Sequence, residues 1–313
     1  MANKIAFLFP GQGSQYVGMG REVLAESALA AQLMDQAGEV LQLDLRKICL
    51  EGPEKELNNT QNTQPAIYTV SIILEQIIRA RGIEPAMVAG HSLGEYTALT
   101  AAGVLSFADG LKLVRKRGLL MNQALPPGQG TMAAIIGLSV EEILEICREV
   151  SGICEVANYN SPQQIVISGE VAAVRSAIKL ALAAKAKRAI ELEVSGPFHS
   201  SLMKPAEDSL AEELAKVDFK KPEIAFLANV TAGIEDSPEQ IRDLLIQQLT
   251  SSVRWEETIN TMVENGVEYF IEVGPGKVLK SLLRRINRSL AAEHVEDLNG
   301  LEKLLEKMQV RGK

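Results

Sequence analysis

A serine flanked by glycines stands between an apolar segment and a helix-like segment. Gly90-His91-Ser92-Leu93-Gly94 fits the pattern Gly-x-Ser-x-Gly, and the apolar run Met87–Gly90 is typical of a short buried strand. In that context the pattern indicates a tight strand-to-helix turn, which exposes a hydroxyl at a helix N-terminus where the helix dipole stabilises negative charge. The sequence therefore predicts that Ser92 is a nucleophile rather than a helix-capping serine.

A nucleophilic serine needs a general base, and the chain has three histidines. His91 adjoins Ser92, but its side chain should point away across the turn and pack at the strand end. His294 lies in a charged C-terminal segment and should face solvent. His199 lies in SGPFHS at residues 195–200, a predicted junction between two domains, where clefts form. We therefore predict His199 as the base, although no carboxylate in a recognisable motif completes a triad.

The segments around these residues alternate between strand and helix patterns. Apolar runs at 4–9, 87–90, 223–229 and 269–273 are typical of buried strands. The predicted helices of this part of the chain are 19–38, 65–81, 93–102, 202–217, 238–249, 255–265, 277–286 and 295–309. Strands that alternate with helices indicate a parallel sheet of the α/β class.

The middle of the chain has a different order of elements. After Pro126-Pro127-Gly128, residues 131–194 read as strand, helix, strand, strand, helix and strand, which is the βαββαβ order of a ferredoxin-like unit. Ser139 and Glu142 form a capping-box pattern at the start of its first helix. We therefore predict a small subdomain at 126–195, inserted into a catalytic core made of 1–125 and 196–313.

Length and charge narrow the possible classes of protein. The chain has 313 residues, enough for about two domains, with 46% hydrophobic and 23% charged residues, so it should fold rather than stay disordered. Its 32 basic and 40 acidic residues give a net charge of -8, which argues against a nucleic-acid-binding protein with a broad basic face.

The apolar runs and the cysteines bear on location. No run reaches the roughly 18 apolar residues that a membrane span needs, and the run within Met1–Phe9 is too short for a signal peptide. Cys49, Cys147 and Cys154 are scattered, odd in number and without metal-ligand spacing, so each should be a small buried apolar side chain. We expect a cytoplasmic protein that has no contact with a membrane and binds no metal.

Seven short segments, in order along the chain, together resemble the malonyl-CoA:acyl carrier protein transacylase family of bacterial fatty acid synthesis. They are GQGSQ at 11–15, TQPA at 63–66, GHSLGE at 90–95, NSPxQ at 160–164, GPFHSSLM at 196–203, RW at 254–255 and ExGPGxVL at 272–279. Each segment alone is weak, but the combination is specific and spans about residues 4–288. The resemblance implies a hydrolase-like parallel-sheet α/β core with an inserted ferredoxin-like subdomain, in agreement with the order of elements above.

The resemblance also implies roles for matching positions. Ser92 would accept the acyl group and His199 would be its base. A backbone carbonyl near Gln248 would orient His199, which would explain why no acid is found. The backbone N–H groups of Gln12 and Leu93 would form the oxyanion hole.

Further positions would select the substrate. Arg117, followed by Gly118, matches the family's arginine and would clamp a malonyl carboxylate, with Met121 on the same helix face. Phe198 matches the malonyl-selecting form of its motif. Gln64 and Asn160, in two of the matching segments, would also contact substrate. Arg115 and Lys116, on the same helix as Arg117, should face solvent.

The expected partners are malonyl-CoA and acyl carrier protein, both anionic. The CoA thioester is a substrate, so no cofactor is expected, and we expect a monomer. Two cation clusters could bind the partners: Lys185, Lys187 and Arg188, and Arg284, Arg285 and Arg288. Three alternatives stay open: a serine esterase or thioesterase, a freestanding acyltransferase of a polyketide assembly line, and a non-catalytic scaffold.

Overall fold

The computed structural model describes residues 4–311, so Met1–Asn3 and residues 312–313, at the two ends of the predicted core, lie outside the described residues. The strands are β1 (Lys4–Phe9), β2 (Met87–Gly90), β3 (Gly130–Ile136), β4 (Cys154–Ser161), β5 (Gln164–Glu170), β6 (Arg188–Glu191), β7 (Ala225–Leu227), β8 (Ile234–Glu235), β9 (Val267–Val273) and β10 (Ala291–Val295).

Fourteen helices connect these strands across the described ranges. They are α1 (Arg21–Glu26), α2 (Ala28–Leu41), α3 (Leu45–Glu51), α4 (Glu54–Leu57), α5 (Thr60–Ala80), α6 (Gly94–Ala101), α7 (Phe107–Gln123), α8 (Val140–Glu149), α9 (Val171–Ala183), α10 (Lys204–Leu214), α11 (Pro238–Gln247), α12 (Trp255–Glu264), α13 (Val278–Ile286) and α14 (Leu298–Arg311). A 3₁₀ turn at Ser201–Met203 precedes α10. None of the helices in residues 4–311 is long and apolar enough to cross a bilayer.

The larger sheet has the strand order β10-β9-β1-β2-β7-β8, and its strands run parallel except for β8. Alternate residues of β1 are buried in two different clusters, because helices cover both faces of a parallel sheet. Phe9 pairs with Gly90, so β1 and β2 end side by side. The loops that follow these two strands therefore meet at the carboxyl edge of the sheet, where α/β proteins bind ligands.

The smaller sheet is antiparallel, with the order β4-β5-β3-β6, and α8 and α9 cover one face. The capping box that the sequence predicts is present at Ser139 and Glu142. A parallel-sheet α/β core with a separate βαββαβ unit confirms the predicted fold class. The boundaries of the inserted unit at 126 and 195 stay a prediction.

Two segments depart from the predicted helices. The helix predicted at 19–38 is split at Ser27, whose extended backbone ends α1 and whose side chain accepts a hydrogen bond from the backbone of Ala30, capping α2. The helix predicted from residue 295 begins instead at Leu298, because Ala291–Val295 pairs with β9 as an edge strand. His294 therefore lies on a strand instead of facing solvent freely.

The prediction that Arg115 faces solvent is wrong. Helix α5 begins at Thr60, before Pro65, and a proline cannot donate to the carbonyl four residues earlier, which is that of Gln61. Arg115 of α7 donates to that carbonyl at 2.6 Å and also to the side chain of Asn62. The arginine thus supplies the hydrogen bond that the proline removes.

Candidate active site

A tight turn between β2 and α6 carries Ser92. Its φ is 52°, a left-handed conformation that strains a residue with a side chain. A Cβ on Gly90 would lie 1.8 Å from the carbonyl oxygen of Gly94, and one on Gly94 would lie 2.1 Å from that of Phe9. Only glycines fit at these two positions, so the spacing of the Gly-x-Ser-x-Gly pattern follows from the close packing of the turn.

Asn229, which follows β7, braces this turn from the side. Its Oδ1 accepts a hydrogen bond from the backbone N–H of Ser92 at 2.8 Å, and its Nδ2 donates to the carbonyl of Gly90 at 2.7 Å. The asparagine itself is fully buried. Sequence reasoning missed this residue, although a polar residue just after an apolar strand at the carboxyl edge of the sheet was a usable signal.

Ser92 and His199 form a direct hydrogen bond. The Ser92 Oγ lies 2.7 Å from His199 Nε2, and His199 Nδ1 lies 2.8 Å from the carbonyl oxygen of Gln248. A carbonyl only accepts, so Nδ1 carries the proton and Nε2 is free to accept the serine hydroxyl proton. Burial, reinforced by the nearby Arg117 cation, lowers the pKa of His199 to about 3. The imidazole is therefore a neutral base at ordinary pH.

Arg117, on α7, is a cation buried beside the serine, with 1% of its surface exposed. Its Nη2 donates to Ser92 Oγ at 3.0 Å and to Gln248 Oε1 at 2.8 Å, and its Nη1 donates to Gln64 Oε1 at 3.0 Å. Its Nε has no hydrogen-bond partner, and no carboxylate of residues 4–311 forms a salt bridge with it. Burial lowers its pKa. The site thus holds a positive charge that an anionic ligand could neutralise.

The side chain of Gln248 connects the other groups. Besides accepting from Arg117, it donates from Nε2 to the backbone oxygen of Ser92 at 2.9 Å and to Glu95 Oε2 at 2.5 Å. Burial raises the pKa of Glu95 to about 8, so this carboxyl adds little negative charge at neutral pH. The sequence pointed to the backbone of Gln248 but missed its side chain and Glu95.

A cavity of about 110 Å³ opens between the core and the small sheet, in front of Ser92. It is lined by Gln12, His91, Ser92, Leu93, Arg117, Met121, Met132, Asn158, Leu192, Val194, Phe198 and His199. Its volume suits a small acyl group. Of the predicted substrate contacts, Arg117, Met121 and Phe198 lie on its wall.

Two predicted contacts lie behind the wall. Gln64 supports Arg117 and donates to the sulfur of Met121, and Asn160 accepts from His91 Nε2 at 2.8 Å. His91 also packs edge-on against Trp255, with ring centroids 5.4 Å apart. His91 therefore packs at the end of β2, as expected, and the residue also borders the cavity.

Gln12 and Leu93, the predicted oxyanion donors, both line this cavity. A Cβ on Gly11 would lie 2.4 Å from the carbonyl oxygen of His91, so the loop after β1 passes directly against the serine turn. The Gln12 side chain is held by Thr60 Oγ1 at 3.2 Å. Neither backbone N–H donates to any residue within 4–311. Their role as oxyanion donors stays a prediction.

Comparison with known proteins places the whole described fold in one family. The family model described as "Acyl transferase domain" matches residues 6–309. The chain is 48% identical over 303 residues to the malonyl CoA-acyl carrier protein transacylase of Bacillus subtilis (strain 168), covering 96% of each chain. It is 44% identical to the protein of the same name from Escherichia coli (strain K12), covering 97% of this chain and 99% of the relative.

Solved structures agree with these relatives. An acyl carrier protein S-malonyltransferase from Vibrio cholerae matches with a TM-score of 0.94 and 45% identity, covering 96% of this chain and 99% of that one. A malonyl-transacylase in complex with a type II PKS acyl-carrier protein matches with a TM-score of 0.95 and 44% identity, covering 97% and 99%.

The lowered pKa of His199 predicts how the reactivity of Ser92 depends on pH. A fluorophosphonate, which labels activated serines, should react with Ser92 at nearly the same rate at pH 5 and pH 8, because the imidazole stays neutral over that range. A base with an ordinary pKa near 6.5 would lose about 30-fold at pH 5. The rate of labelling, followed by mass spectrometry between pH 4 and 8, should show no midpoint in that range, and a midpoint near 6.5 would contradict the assignment.

Replacing Arg117 by methionine tests the second cause of the shift. Arg117→Met removes the cation, so the midpoint should rise, yet stay below 6.5 because burial is the larger cause. Lys116→Met makes the same change of charge on the same helix and should leave the midpoint unmoved.

Proposed function

Because this chain belongs to the acyl transferase domain family, we propose that it transfers a malonyl group from malonyl-CoA to the phosphopantetheine thiol of acyl carrier protein in fatty acid biosynthesis. The relatives named above carry this activity in their names. The observation that carries the proposal is Arg117: a buried guanidinium without a carboxylate partner, 3.0 Å from the nucleophilic hydroxyl, suits an acyl group that ends in a carboxylate.

The first half-reaction forms an ester on the enzyme. His199 Nε2 takes the proton of the Ser92 hydroxyl as the oxygen attacks the thioester carbon. The tetrahedral oxyanion accepts hydrogen bonds from the backbone N–H groups of Gln12 and Leu93. The carbon–sulfur bond then breaks, the proton passes from His199 to the departing sulfur, and malonyl-Ser92 and free CoA remain.

In the second half-reaction the thiol is the nucleophile and Ser92 is the leaving group. The thiol of the carrier protein gives its proton to His199 and attacks the ester, and Ser92 regains its proton as it leaves. Arg117 holds the free carboxylate through both steps by charge-assisted hydrogen bonds from its guanidinium. The chemistry needs only the two substrates, so we propose no cofactor. We further propose that the enzyme is a cytoplasmic monomer that binds neither nucleic acid nor membrane.

A basic groove of about 530 Å³ is the proposed contact for the carrier protein. It is lined by Ile136, Pro162, Gln163, Gln164, Lys187, Arg188, Arg284, Arg285 and Arg288. Members of both predicted cation clusters therefore meet in one groove. Five of the residues on its wall are cationic and none is acidic. Arg285 also donates to the side chain of Gln164 across the groove. The groove supplies local positive charge for an acidic partner despite the net charge of -8.

A second acceptor is supported by one similar structure. The malonyl-transacylase of that complex is bound to a type II PKS acyl-carrier protein. A chain 44% identical to it could serve a polyketide carrier protein by the same chemistry. Transfer rates to a fatty acid and a polyketide carrier protein, compared under one set of conditions, distinguish the two acceptors.

Intact-mass measurement tests the proposed reaction directly. Malonyl-CoA should add the mass of one malonyl group to the enzyme, and holo acyl carrier protein should then remove it. Ser92→Ala should show no adduct, whereas Ser176→Ala, on the exposed face of α9, should behave like the unchanged enzyme. An adduct on Ser92→Ala would refute the nucleophile. Rapid release of free malonate without carrier protein would favour the thioesterase alternative.

Arg117→Ala tests the carboxylate clamp. Loss of a charged hydrogen-bonded pair inside the protein costs about 2–5 kcal/mol, so kcat/KM for malonyl transfer should fall by about 30- to 5,000-fold. Transfer of an acetyl group, which has no carboxylate, should fall much less. Lys116→Ala is the matched control on the same helix. Equal losses for malonyl and acetyl groups would exclude the clamp.

The double variant Arg284→Glu/Arg288→Glu tests the groove. The KM for the carrier protein should rise on the order of tenfold at low ionic strength and less at high salt, because screening weakens exposed charges. Acylation by malonyl-CoA in the absence of carrier protein should be less affected. Arg81→Glu reverses one exposed charge outside the groove and is the matched control for the single variant Arg284→Glu. An equal effect of these two single variants would mean that net charge alone governs binding.

A further inference from the structure

A second, larger cavity adjoins the catalytic histidine. It measures about 710 Å³, and its wall includes His199, Ser201, Glu155, Ser252 and the two cysteines Cys147 and Cys154. The proposed transfer reaction uses neither thiol. Because the cavity is open to small molecules, both sulfur atoms border a space that a soluble reagent could enter.

The two cysteines face each other. Cys147 lies near the end of α8, Cys154 is the first residue of β4, and their sulfur atoms are 3.7 Å apart. The hydrogen bond shared by the two thiols lowers the pKa of Cys147 and raises that of Cys154. Cys147 is therefore the more nucleophilic of the two. Cys154 is buried in the apolar cluster of the small sheet, as predicted, and Cys147 packs half-buried against that cluster.

The second residue of β4 holds the segment that follows the catalytic histidine. Glu155, next to Cys154, accepts hydrogen bonds from the backbone and side chain of Ser201 at 2.7 and 2.9 Å, two residues after His199.

The same strand also holds the loop that orients the histidine. Ser252 donates to the carbonyl of Val156 at 2.5 Å, and Val253 donates to that of Ala157 at 2.8 Å. These residues follow Gln248, whose carbonyl fixes the His199 ring. The strand that begins at Cys154 therefore supports both partners of the His199–Gln248 hydrogen bond.

We propose that Cys147 and Cys154 are an oxidisable dithiol, which a hydroperoxide converts to a disulfide that slows the acylation of Ser92. The second part of this inference rests on the proposed function. The first part concerns only the two thiols.

The oxidation is balanced with a hydroperoxide as the two-electron oxidant. The Cys147 thiolate attacks the peroxide, the O–O bond breaks, and a sulfenic acid forms with water or an alcohol as the other product. The Cys154 thiol then attacks the Cys147 sulfur, the S–O bond breaks, and water leaves. Two thiols and one peroxide thus give one disulfide.

We expect closing this bond to strain the junction between α8 and β4. A disulfide requires sulfur atoms about 2.05 Å apart, so the pair must approach by more than 1.5 Å from 3.7 Å. Side-chain rotation should absorb part of the movement, and we expect a shift at the start of β4 or the end of α8 to absorb the rest. A displacement of about 1 Å in catalytic groups can cost on the order of a hundredfold in rate, so we expect at least a tenfold slower acylation.

The test starts with the reduced, full-length enzyme. Its acylation by malonyl-CoA is measured first, and this measurement tests the proposed function separately. Hydrogen peroxide is then added in mild excess, and both the intact mass and the acylation rate are followed. The inference predicts a loss of two hydrogens, at least tenfold slower acylation, and recovery of both by dithiothreitol. Phenylarsine oxide, which bridges close thiols, should bind the reduced enzyme one to one.

Single-cysteine variants identify the atoms. Cys147→Ser and Cys154→Ala should each lose the mass change, the phenylarsine oxide binding and the rate change, while keeping reduced-state activity. Cys49→Ala, at a buried thiol whose pKa burial raises to about 12, should behave like the unchanged enzyme. The inference is overturned if no disulfide forms, if the oxidised enzyme acylates at the reduced rate, or if Cys147→Ser slows equally under peroxide.

Discussion

The arrangement of the site depends on one buried charge, the guanidinium of Arg117. A desolvated cation inside a protein costs several kcal/mol unless dipoles or an opposite charge surround it. Here the oxygens of Gln64, Gln248 and Ser92 supply the dipoles, and no carboxylate of the described chain pairs with it directly. The charge is therefore partly compensated and remains available to a ligand anion. It also lies close enough to His199 to help lower the pKa of the imidazole, which keeps the base neutral.

This constraint explains why a backbone carbonyl, and not an acid, orients the base. A carboxylate on His199 Nδ1 would also lie near Arg117, would pair with it, and would repel a substrate carboxylate. The carbonyl of Gln248 fixes the same tautomer without a net charge. Glu95 is a buried acid connected to Arg117 through the Gln248 amide. It does not neutralise the cation, because burial raises the pKa of Glu95 to about 8 and leaves the carboxyl largely neutral. The positive charge is thus kept for the substrate.

The sequence was informative where function is carried by short local patterns. The turn around Ser92 follows from two glycines that no other residue could replace, and the order of strands and helices predicted both sheets. Residues that act through distant contacts were missed. Asn229 contacts the Ser92 turn across 137 positions of sequence, and the Gln248 side chain reaches Glu95 across 153, so no local pattern encodes either contact. The split at Ser27 and the strand at 291–295 were missed for a related reason, since a capping bond and an edge pairing decided them.

The small subdomain is structurally part of the active site and not only a cover over it. Its strand β4 holds the segment after His199 through Glu155 and the segment after Gln248 through backbone hydrogen bonds at residues 156–159. The same strand ends near Asn160, which holds His91 on the cavity wall. A displacement of this strand would therefore reach the base, the carbonyl that orients it and the cavity together. Because the larger sheet positions the nucleophile while the smaller sheet holds the segments after His199 and Gln248, the geometry at Ser92 depends on how firmly the two sheets are held against each other.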